Sequence, residues 1–571
     1  MANEVNKNVL AWMQSNIDQE TKNEILKILK ENEKELLDSF CKTLEFGTGG
    51  LRGKMGVGTN RMNKYTVGVA TQGLANYLKK YFKNSKEIKV VIAYDTRNNS
   101  TYFAKITSQV LAANNIKVYV FDSYRPTPEL SYAIRKLKAN AGIVITASHN
   151  PKEYNGYKVY WDDGAQVIDP HDNNIIAEVN SLSIDDVKYE GNENLIQTIG
   201  EDIDSIYISE LISTIPNVEL FKESTNLKVV YTPLHGTGYP LLPKLLSTIG
   251  FKNIFVLESQ AIPDGNFTTV KSPNPENKEA FKLAIEYAKT IDADIILATD
   301  PDADRIGVAL KDTNGDYYLL NGNQTATILT DYILSEYKQK EKLKPEDYIV
   351  KTIVTSDMLT EIAEYNGIKT YEVLTGFKYI AKTIREKAGD KFLGGFEESY
   401  GYLFSDIVRD KDALMAALYV IEASLYAKNN NKTLLDILNE AYLKYHFYYT
   451  KLINIEKEGV EGIEEIKQII ETFREDVPAI INEVNVVIIR DYIEGIETNL
   501  FNGEQKTLQF PKSSVIQLIL EDETKITIRP SGTEPKMKIY FSFKTKITSI
   551  DQISEKEKEF DRKAEAFLNY L

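Results

Sequence analysis

The chain has 571 residues, of which 43% are hydrophobic and 26% are charged, and its formal net charge is -15. That length exceeds what one hydrophobic core serves, and the composition is that of an ordinary globular protein. The negative charge argues against a general binder of nucleic acids or anionic membranes. Any phosphate site must therefore be a local cluster of basic side chains and backbone N–H groups.

Cysteine content and the absence of targeting segments bear on the compartment. Cys41 is the single cysteine, so no intrachain disulfide is possible, which suits a reducing environment. The N-terminus lacks the basic start and apolar run of a secretory signal, and no stretch approaches the ~18 apolar residues that span a bilayer. We therefore expect a cytoplasmic protein without membrane or nucleic-acid partners.

The predicted elements begin with an amphipathic helix over residues 18–40, followed by a glycine-rich loop over residues 47–58. Strand-like runs then alternate with helix-like runs in three successive stretches of the chain. This alternation predicts largely parallel sheets with crossover helices. The predicted strands are residues 89–94, 117–121, 141–146, 227–231, 253–257, 294–298, 348–354, 369–373 and 391–395.

The C-terminal part has a different pattern. Helical segments over residues 460–482 and 552–570 flank predicted strands at residues 485–489, 515–520, 525–528 and 538–542. The fold class is therefore α/β, with three similar α/β domains plus a smaller C-terminal α+β domain around a central cleft. We place the four domains at residues 1–205, 206–325, 326–450 and 451–571.

A candidate nucleophile, Ser148, follows a β-branched strand and precedes a break at Asn150-Pro151. The carboxyl end of a parallel strand is where α/β folds bind ligands, although an ordinary turn serine fits the position equally well. The Gly-x-Ser-x-Gly elbow of serine hydrolases is missing, and His149 is too near in sequence for a triad base. The other histidines, His171, His235 and His446, are expected to be structural.

Asp300, Asp302 and Asp304 follow another apolar strand. Three carboxylates within five residues repel one another unless a cation lies among them, and oxygen ligands suit Mg²⁺. An EF-hand would need Gly and Glu where this chain has Arg305 and Lys311, so a calcium loop is excluded. A solvated acidic turn is the alternative, and the preceding apolar strand argues against it.

Two further segments carry polar groups suited to a sugar phosphate. Residues 529–533 offer a guanidinium, two hydroxyls and the N–H groups of a tight turn, which together suit a dianion, although a plain β-turn is the alternative. Glu397 and Ser399 could accept hydrogen bonds from vicinal hydroxyls. The early loop with Arg52 matches neither a P-loop nor a Gly-x-Gly-x-x-Gly fingerprint, so nucleotide binding has little support.

All four motifs follow one another along the chain in the order of a known family. The chain resembles the α-D-phosphohexomutase superfamily, the phosphoglucomutase and phosphomannomutase enzymes, over nearly its whole length. The resemblance implies the family's four-domain fold and a phosphoserine at Ser148. It implies Mg²⁺ bound by Ser148, Asp300, Asp302 and Asp304, and it gives Lys158, His149 and Arg52 as catalytic neighbours, with Lys158 the leading acid–base candidate. The substrate-binding residues that it implies are Arg305, Gly376, Lys378, Glu397, Ser399, Arg529, Ser531, Gly532 and Thr533.

The resemblance fixes the chemistry better than the sugar. Phe396 stands between Gly395 and Glu397, which departs from the family's usual Gly-Glu-x-Ser loop. In this respect the chain is similar to a branch of the family that contains phosphoglucomutases, phosphopentomutases and sugar-bisphosphate synthases. Glucose 1-phosphate is the leading substrate, converted to glucose 6-phosphate through glucose 1,6-bisphosphate, which also serves as activator. The alternatives are a phosphomannomutase, a phosphopentomutase, a bisphosphate synthase, a Mg²⁺-dependent phosphatase or a non-catalytic sugar-phosphate sensor.

Overall fold

The computed structural model describes residues 2–47, 49–223, 226–457, 459–530 and 536–571. The chain divides into two compact units. The first consists of Met1–Asn321, Ile384–Glu386 and Ser399–Tyr426, and the second of Gly322–Thr383, Lys387–Glu398 and Ala427–Leu571. Within the described ranges, no helix combines the length and apolarity that crossing a membrane requires.

Three helices open the first unit, namely α1 (Ala2–Gln14), α2 (Gln19–Glu31) and α3 (Glu33–Phe40). The prediction of one helix over residues 18–40 was wrong. Asn32 ends α2, and its side chain accepts a hydrogen bond from the Glu35 backbone N–H at 3.0 Å, which caps α3. Trp12 and Phe40 pack edge to face with a ring separation of 5.7 Å in a small apolar core of these helices.

The first large sheet of this unit carries the candidate nucleophile. Its strands are β1 (Gly50–Lys54), β2 (Lys89–Tyr94), β3 (Lys117–Phe121), β4 (Ala141–Ile145), β5 (Tyr154–Trp161) and β6 (Ile196–Ile199). They lie in the order β1-β5-β4-β2-β3-β6, with β4, β2, β3 and β6 parallel and β5 and β1 antiparallel. The accompanying helices are α4 (Lys64–Tyr81), α5 (Ser100–Ala113), α6 (Thr127–Leu137) and α7 (His171–Asn180).

The second sheet carries the acidic loop. Its strands are β7 (Val229–Thr232), β8 (Ile254–Val256), β9 (Ile295–Thr299), β10 (Ile306–Lys311) and β11 (Tyr317–Leu319), in the order β11-β10-β9-β7-β8. Strands β9, β7 and β8 are parallel, whereas β9 and β10 form an antiparallel hairpin. The helices of this part are α8 (Glu201–Ser213), α9 (Glu219–Glu223), α10 (Gly238–Ile249), α11 (Glu258–Ala261) and α12 (Lys282–Ile291).

The second unit contains a third, parallel set of strands. These are β12 (Tyr348–Thr352), β13 (Lys369–Val373) and β14 (Phe392–Glu397), with β12 between the other two. The next strand, β15 (Gly401–Leu403), belongs to the first unit. The helices in this stretch are α13 (Gly322–Gln339), α14 (Met358–Tyr365), α15 (Phe377–Glu386), α16 (Ala413–Asn429) and α17 (Leu434–Lys444).

The C-terminal part of the second unit is a mostly antiparallel sheet with two helices, α18 (Gly459–Glu475) and α19 (Ile553–Ala566). Helix α18 ends well before residue 482, which corrects that predicted boundary. The strands are β16 (Phe447–Glu456), β17 (Ile480–Ile481), β18 (Val484–Asp491), β19 (Ile496–Asn499), β20 (Gln505–Thr507), β21 (Ile516–Leu520), β22 (Lys525–Pro530) and β23 (Lys536–Thr545).

The predicted fold class, three α/β parts plus a C-terminal β-rich part, is confirmed. Every predicted strand is present within a few residues, and the strands at 89–94, 117–121 and 369–373 have the predicted ends. The four domain boundaries stay a prediction. The antiparallel strands β5 and β10 were not predicted, although they carry or flank several of the candidate site residues.

Candidate active site

Ser148 lies in a tight loop between β4 and β5, and its side chain is buried. Its backbone has φ of 52°, in the left-handed region that side chains seldom adopt. The Ser148 N–H donates to Thr146 Oγ1 at 2.9 Å, and its hydroxyl donates to Asp300 Oδ2 at 2.7 Å. The loop therefore aims the hydroxyl at the acidic loop of the second sheet.

The acidic loop is the turn between β9 and β10. Asp300 Oδ1 accepts the backbone N–H groups of Asp304, at 3.1 Å, and Arg305, at 3.0 Å, which closes the turn. Ala303 has φ of 49°, and its neighbours Asp300, Asp302 and Asp304 are all buried. One ligand oxygen from each of these three carboxylates lies within 4.8 Å of the other two.

Two lysines partly balance this negative charge. Lys158 Nζ, on β5, lies 2.9 Å from Asp302 Oδ2, and Lys411 Nζ lies 3.1 Å from Asp304 Oδ2. Burial raises the pKa of Asp302, but Lys158 and a hydrogen bond with Asp300 outweigh this effect and hold that pKa well below its usual range. Burial raises the pKa of Asp300 well above its usual range, and the neighbouring Asp302 and Asp304 raise it further.

The carboxylate triad is consistent with a divalent cation site. Asp302 Oδ1 and Asp304 Oδ1 are buried, and among the described residues neither has a hydrogen-bond donor. Buried acceptors without donors are costly, and an oxygen-only donor set is the kind that Mg²⁺ prefers. The three residues thus have the chemistry and the unsatisfied acceptors that such an ion requires.

His149 and Arg52 border the same centre. His149 Nδ1 lies 3.2 Å from Ser148 Oγ, and burial together with the positive charges of Arg305 and Arg52 holds the pKa of His149 well below its usual value. Arg52 lies on β1, and its side chain reaches solvent although protein atoms surround it closely enough to desolvate the guanidinium. Desolvation lowers the pKa of Arg52, whereas the field of Asp302 and the other two carboxylates opposes this shift.

Arg305, the last residue of the acidic turn, is predicted to bind substrate. Its Nη1 donates to Glu276 Oε1 at 2.8 Å, and its Nε lies 3.8 Å from Asp304 Oδ1. The guanidinium is therefore oriented by Glu276 and by the triad carboxylate of Asp304. Ser148, Lys158, His149, Arg52 and the acidic turn are thus brought together in the first unit, which also contains Ser399.

The remaining predicted residues belong to the second unit. The Gly376 N–H, at φ of 117°, donates to Glu397 Oε1 at 3.0 Å, so these two candidate sugar contacts adjoin each other. Lys378 Nζ lies 5.3 Å from the centre of the Tyr379 ring. Arg529 lies on β22, opposite Lys538 of β23. Ser531, Gly532 and Thr533 fall outside the described residues.

Sequence reasoning missed Lys411 and Thr127, which both contact the triad. Thr127 Oγ1 donates to Asp302 Oδ2 at 3.0 Å. A side-chain atom at Gly401 would come within 2.0 Å of Lys411 Cδ, so a glycine there makes room for the lysine. The run Asp410-Lys411-Asp412 marks Lys411 only once the burial of both aspartates is known, because a lysine between two buried carboxylates calls for a charged partner nearby.

Comparison with known families gives three matches in chain order. The model for phosphoglucomutase/phosphomannomutase alpha/beta/alpha domain I matches residues 43–185, that for domain II matches residues 205–315, and that for domain III matches residues 321–445. The first match contains Ser148, the second contains the acidic turn and the third contains Glu397.

Individual relatives agree with the family matches. A phosphoglucomutase of Staphylococcus epidermidis is 39% identical and covers 90% of this chain and 93% of its own length. One from Staphylococcus aureus is 40% identical, with coverage of 91% and 92%. Parafusin, a phosphoglucomutase from Paramecium solved in its open form, shares the fold with a TM-score of 0.66 at 18% identity, covering 92% of this chain and 95% of its own. The chain therefore belongs to the phosphoglucomutase/phosphomannomutase family, and it is an enzyme that isomerises a sugar phosphate by phosphoryl transfer.

Proposed function

We propose that the chain is a phosphoglucomutase that interconverts glucose 1-phosphate and glucose 6-phosphate, with glucose 1,6-bisphosphate as intermediate and activator. One observation carries the proposal. The hydroxyl of Ser148 is held 2.7 Å from Asp300 within a buried triad of carboxylates. The names of the two staphylococcal relatives support glucose as the sugar. The single cysteine supports the cytoplasm as the compartment.

Ser148 is proposed to carry the phosphoryl group. A sugar hydroxyl attacks the phosphorus in line, the bond from phosphorus to Ser148 Oγ breaks, and a sugar bisphosphate forms. The bisphosphate then presents its other phosphoryl group, which returns to Ser148 Oγ as the product hydroxyl leaves. Asp300, Asp302, Asp304 and a phosphoserine oxygen would hold Mg²⁺, which when bound supplies charge neutralisation for the transferring group.

Proton transfer is assigned to the side chains beside Ser148. His149 is neutral near pH 7, because its pKa lies well below its usual value, and its Nδ1 is 3.2 Å from the serine hydroxyl. As a neutral imidazole it can donate its Nδ1–H to Ser148 Oγ while the serine hydroxyl donates to Asp300. Lys158, oriented by Asp302, is the proposed acid–base partner of the sugar hydroxyl, and Arg52 and Arg305 are proposed to bind phosphoryl oxygens.

The residues around Glu397, together with Arg529 and the residues after it, are proposed to bind the sugar and the phosphate that does not react. Glu397 is a buried acceptor, and with Ser399 it would bind the sugar hydroxyls in either orientation of the bisphosphate. Gly376, whose N–H donates to Glu397 Oε1, and Lys378, at the start of α15, would add contacts to the sugar. Arg529, Ser531, Gly532 and Thr533 would bind the distal phosphate through a guanidinium, hydroxyls and backbone N–H groups.

The test is a mutase assay with Mg²⁺ and a trace of glucose 1,6-bisphosphate. Glucose 1-phosphate, mannose 1-phosphate and ribose 1-phosphate are compared on the wild type, on Ser148→Ala and on Ser108→Ala. Ser108 is a buried serine of α5 that donates to Ala104 O, so its variant controls for the loss of a buried hydroxyl.

We expect glucose 1-phosphate to be converted fastest by the wild type. Ser148→Ala should lose this activity, and Ser108→Ala should keep it. Normal turnover by Ser148→Ala would refute the assigned nucleophile. Faster conversion of mannose 1-phosphate or ribose 1-phosphate would refute the assigned sugar. Phosphorylated Ser148 in wild type that converts none of the three would indicate a bisphosphate synthase instead.

A further inference from the structure

Arg97 lies beneath the nucleophile loop and is excluded from solvent. It follows β2 by three residues, and its side chain, like that of Asp95, is 0% exposed. An arginine is seldom buried so completely unless its N–H groups all have partners. The partners of Arg97 are therefore informative about its role.

The two terminal nitrogens of Arg97 bind the main chain of the loop that contains Ser148. Nη2 donates to Ser148 O at 2.5 Å and also to Asn150 O. Nη1 donates to Pro151 O at 2.9 Å and to Tyr154 O at 3.2 Å. These carbonyls span the whole turn from β4 to β5, so one guanidinium joins both sides of the loop.

Asp95 orients the guanidinium from the other side. Arg97 Nε lies 3.3 Å from Asp95 Oδ2, an ion-pair contact without hydrogen-bond geometry, and Asp95 Oδ1 accepts the Arg97 backbone N–H at 3.0 Å and the Ser100 hydroxyl at 2.6 Å. Phe267 covers the guanidinium, with its ring centre 4.9 Å away. The side chain therefore has one geometry, which is fixed by β2, α5 and a segment after α11.

The conformation of Ser148 requires such a support. Its φ of 52° is unfavourable for a residue with a side chain, and such conformations persist only where the surroundings over-determine them. Thr146 Oγ1 fixes the Ser148 N–H and Arg97 fixes the Ser148 carbonyl, so both peptide groups that flank the nucleophile are held. The hydroxyl is thereby aimed at Asp300.

We propose that Arg97, oriented by Asp95, is the positioning residue for the nucleophile Ser148, and that it acts on phosphoryl transfer without touching the substrate. Its terminal N–H groups all donate to loop carbonyls, so none is left for a phosphate. Lysine cannot replace it, because an ammonium group lacks the planar fork that serves four carbonyls at once. This inference rests on the proposed function, since it assigns Ser148 as the group that is phosphorylated.

The experiment uses full-length Arg97→Lys, with Arg61→Lys as the matched control. Arg61 is also buried and donates to the main-chain carbonyls of Asp38 and Asn60, but it lies against the N-terminal helices. Two readouts are taken. Hydrogen exchange reports the protection of the amides of residues 147–156, and quenched-flow intact mass reports the rate at which glucose 1,6-bisphosphate phosphorylates Ser148.

In Arg97→Lys, the amides of residues 147–156 should lose protection while β2 and β3 keep theirs. The rate of Ser148 phosphorylation and kcat should fall by about 100-fold, the cost of misplacing a reacting group by roughly 1 Å, whereas KM should change less than threefold. Arg61→Lys should leave amide protection, the phosphorylation rate, kcat and KM unchanged. Asp95→Asn, which keeps the fork but removes its anion, should show a smaller loss of the same kind.

Unchanged loop protection with a normal phosphorylation rate in Arg97→Lys would overturn the proposal. A decrease in kcat/KM that comes only from a higher KM would also overturn it. If Arg97→Lys does not fold, Asp95→Asn decides between the same outcomes. Failure of the proposed function is recognised separately, because wild-type Ser148 would then take up no phosphoryl group at all.

Discussion

Two clusters of charged side chains, the triad of the first unit and a group around the buried Lys351 of the second, differ in how well their charges balance. In the second unit, Lys351 Nζ lies 2.8 Å from Asp357 and 2.7 Å from Glu372, and Lys525 Nζ lies 2.6 Å from Asp357. Burial opposes ionisation in this cluster, yet the ion pairs raise the pKa of Lys351 and lower those of Asp357 and Glu372. Lys351, Asp357 and Glu372 are thus stabilised in their charged forms.

The triad of the first unit is not balanced in this way. Within the described chain, no cationic side chain lies within ion-pair distance of Asp300, and burial shifts its pKa in the opposite direction, upward. Two carboxylate oxygens beside it have no hydrogen-bond donor among the described residues. A buried cluster whose charges cancel is explained by the fold alone, whereas a buried cluster with an excess of one sign indicates a ligand of the other sign.

The most severe test of this comparison neutralises the unbalanced carboxylate. Asp300→Asn keeps the size of the side chain and an acceptor for the backbone N–H groups of the turn. We expect mutase activity to fall by on the order of 10³-fold or more at saturating Mg²⁺, since a bound metal supplies several kcal/mol of transition-state stabilisation. The measurement is kcat across a Mg²⁺ titration.

The stability of Asp300→Asn supplies the contrast. In EDTA, its free energy of unfolding from urea denaturation should equal or exceed that of the wild type, because the lost charge had no cation to pair with. A large destabilisation in EDTA would mean that Asp300 is a structural ion-pair member. In that case the difference between the two clusters would disappear.

The balanced cluster should respond in the opposite sense. Glu372→Gln removes one carboxylate from Lys351, whose side chain is only 1% exposed. We expect the free energy of unfolding of the second unit to fall by about 4 kcal/mol, since breaking a buried pair leaves charge uncompensated. Urea denaturation measures this loss, with Glu504→Gln as the control from an exposed pair on the same unit. Equal effects of the two substitutions would contradict the assignment.

The local elements could be predicted from the sequence because their signals are local. Residues 89–94 form an apolar and almost fully buried strand, whereas residues 369–373 form a half-buried strand that contains lysine and glutamate. Both are bounded by helix signals, and their predicted ends matched. Strand β5 was missed because Tyr154–Trp161 mixes tyrosines, Asn155 and Lys158. It is a strand because it pairs with both β4 and β1, and these long-range partners leave no periodic pattern in the sequence.

The same distinction applies to the site. Ser148 and the three aspartates stand out because the motifs that contain them are contiguous. Lys411, Thr127 and Arg97 act on those motifs from remote parts of the chain, and Thr127 meets Asp302 across 175 positions. Such contacts are created by tertiary structure, so no spacing in the sequence could have paired these residues.

Asp412, a buried carboxylate outside both clusters, tests whether burial without a paired cation raises the pKa of an aspartate. Asp412 accepts hydrogen bonds from Tyr207 at 2.6 Å and from the Leu414 and Met415 N–H groups at 2.9 Å. Burial raises its pKa from 3.8 to about 6 despite these bonds. The folded state therefore binds this proton more tightly than the unfolded state. The resulting stability is present below about pH 4, is lost as the pH rises to about 6, and stays constant above that value.

Asp412→Asn should remove this dependence. The unfolding free energy of the variant relative to wild type should rise by about 3 kcal/mol between pH 4 and pH 7, because one pKa unit corresponds to about 1.4 kcal/mol. Urea denaturation of both proteins across that range gives the difference. A difference that stays constant with pH would show that the carboxylate is ionised throughout, and that burial does not raise a pKa here in the way expected for Asp300.

The smallest expected effect concerns the donor that orients the triad. Thr127→Val has nearly the same shape and removes the hydroxyl that donates to Asp302 Oδ2 at 3.0 Å. Groups that orient metal ligands typically contribute 10- to 100-fold to metal affinity, so the Mg²⁺ concentration for half-maximal activity should rise by about tenfold. Because Thr127 has no proposed contact with the sugar, kcat at saturating Mg²⁺ should stay near the wild-type value.

Thr71→Val, which removes a buried hydroxyl bonded to Val67 O in α4, should leave the Mg²⁺ titration unchanged. An unchanged titration in Thr127→Val would mean that Asp302 is held by Lys158 alone, and the first unit would then need only charge, not hydrogen bonding, to preorganise its carboxylates.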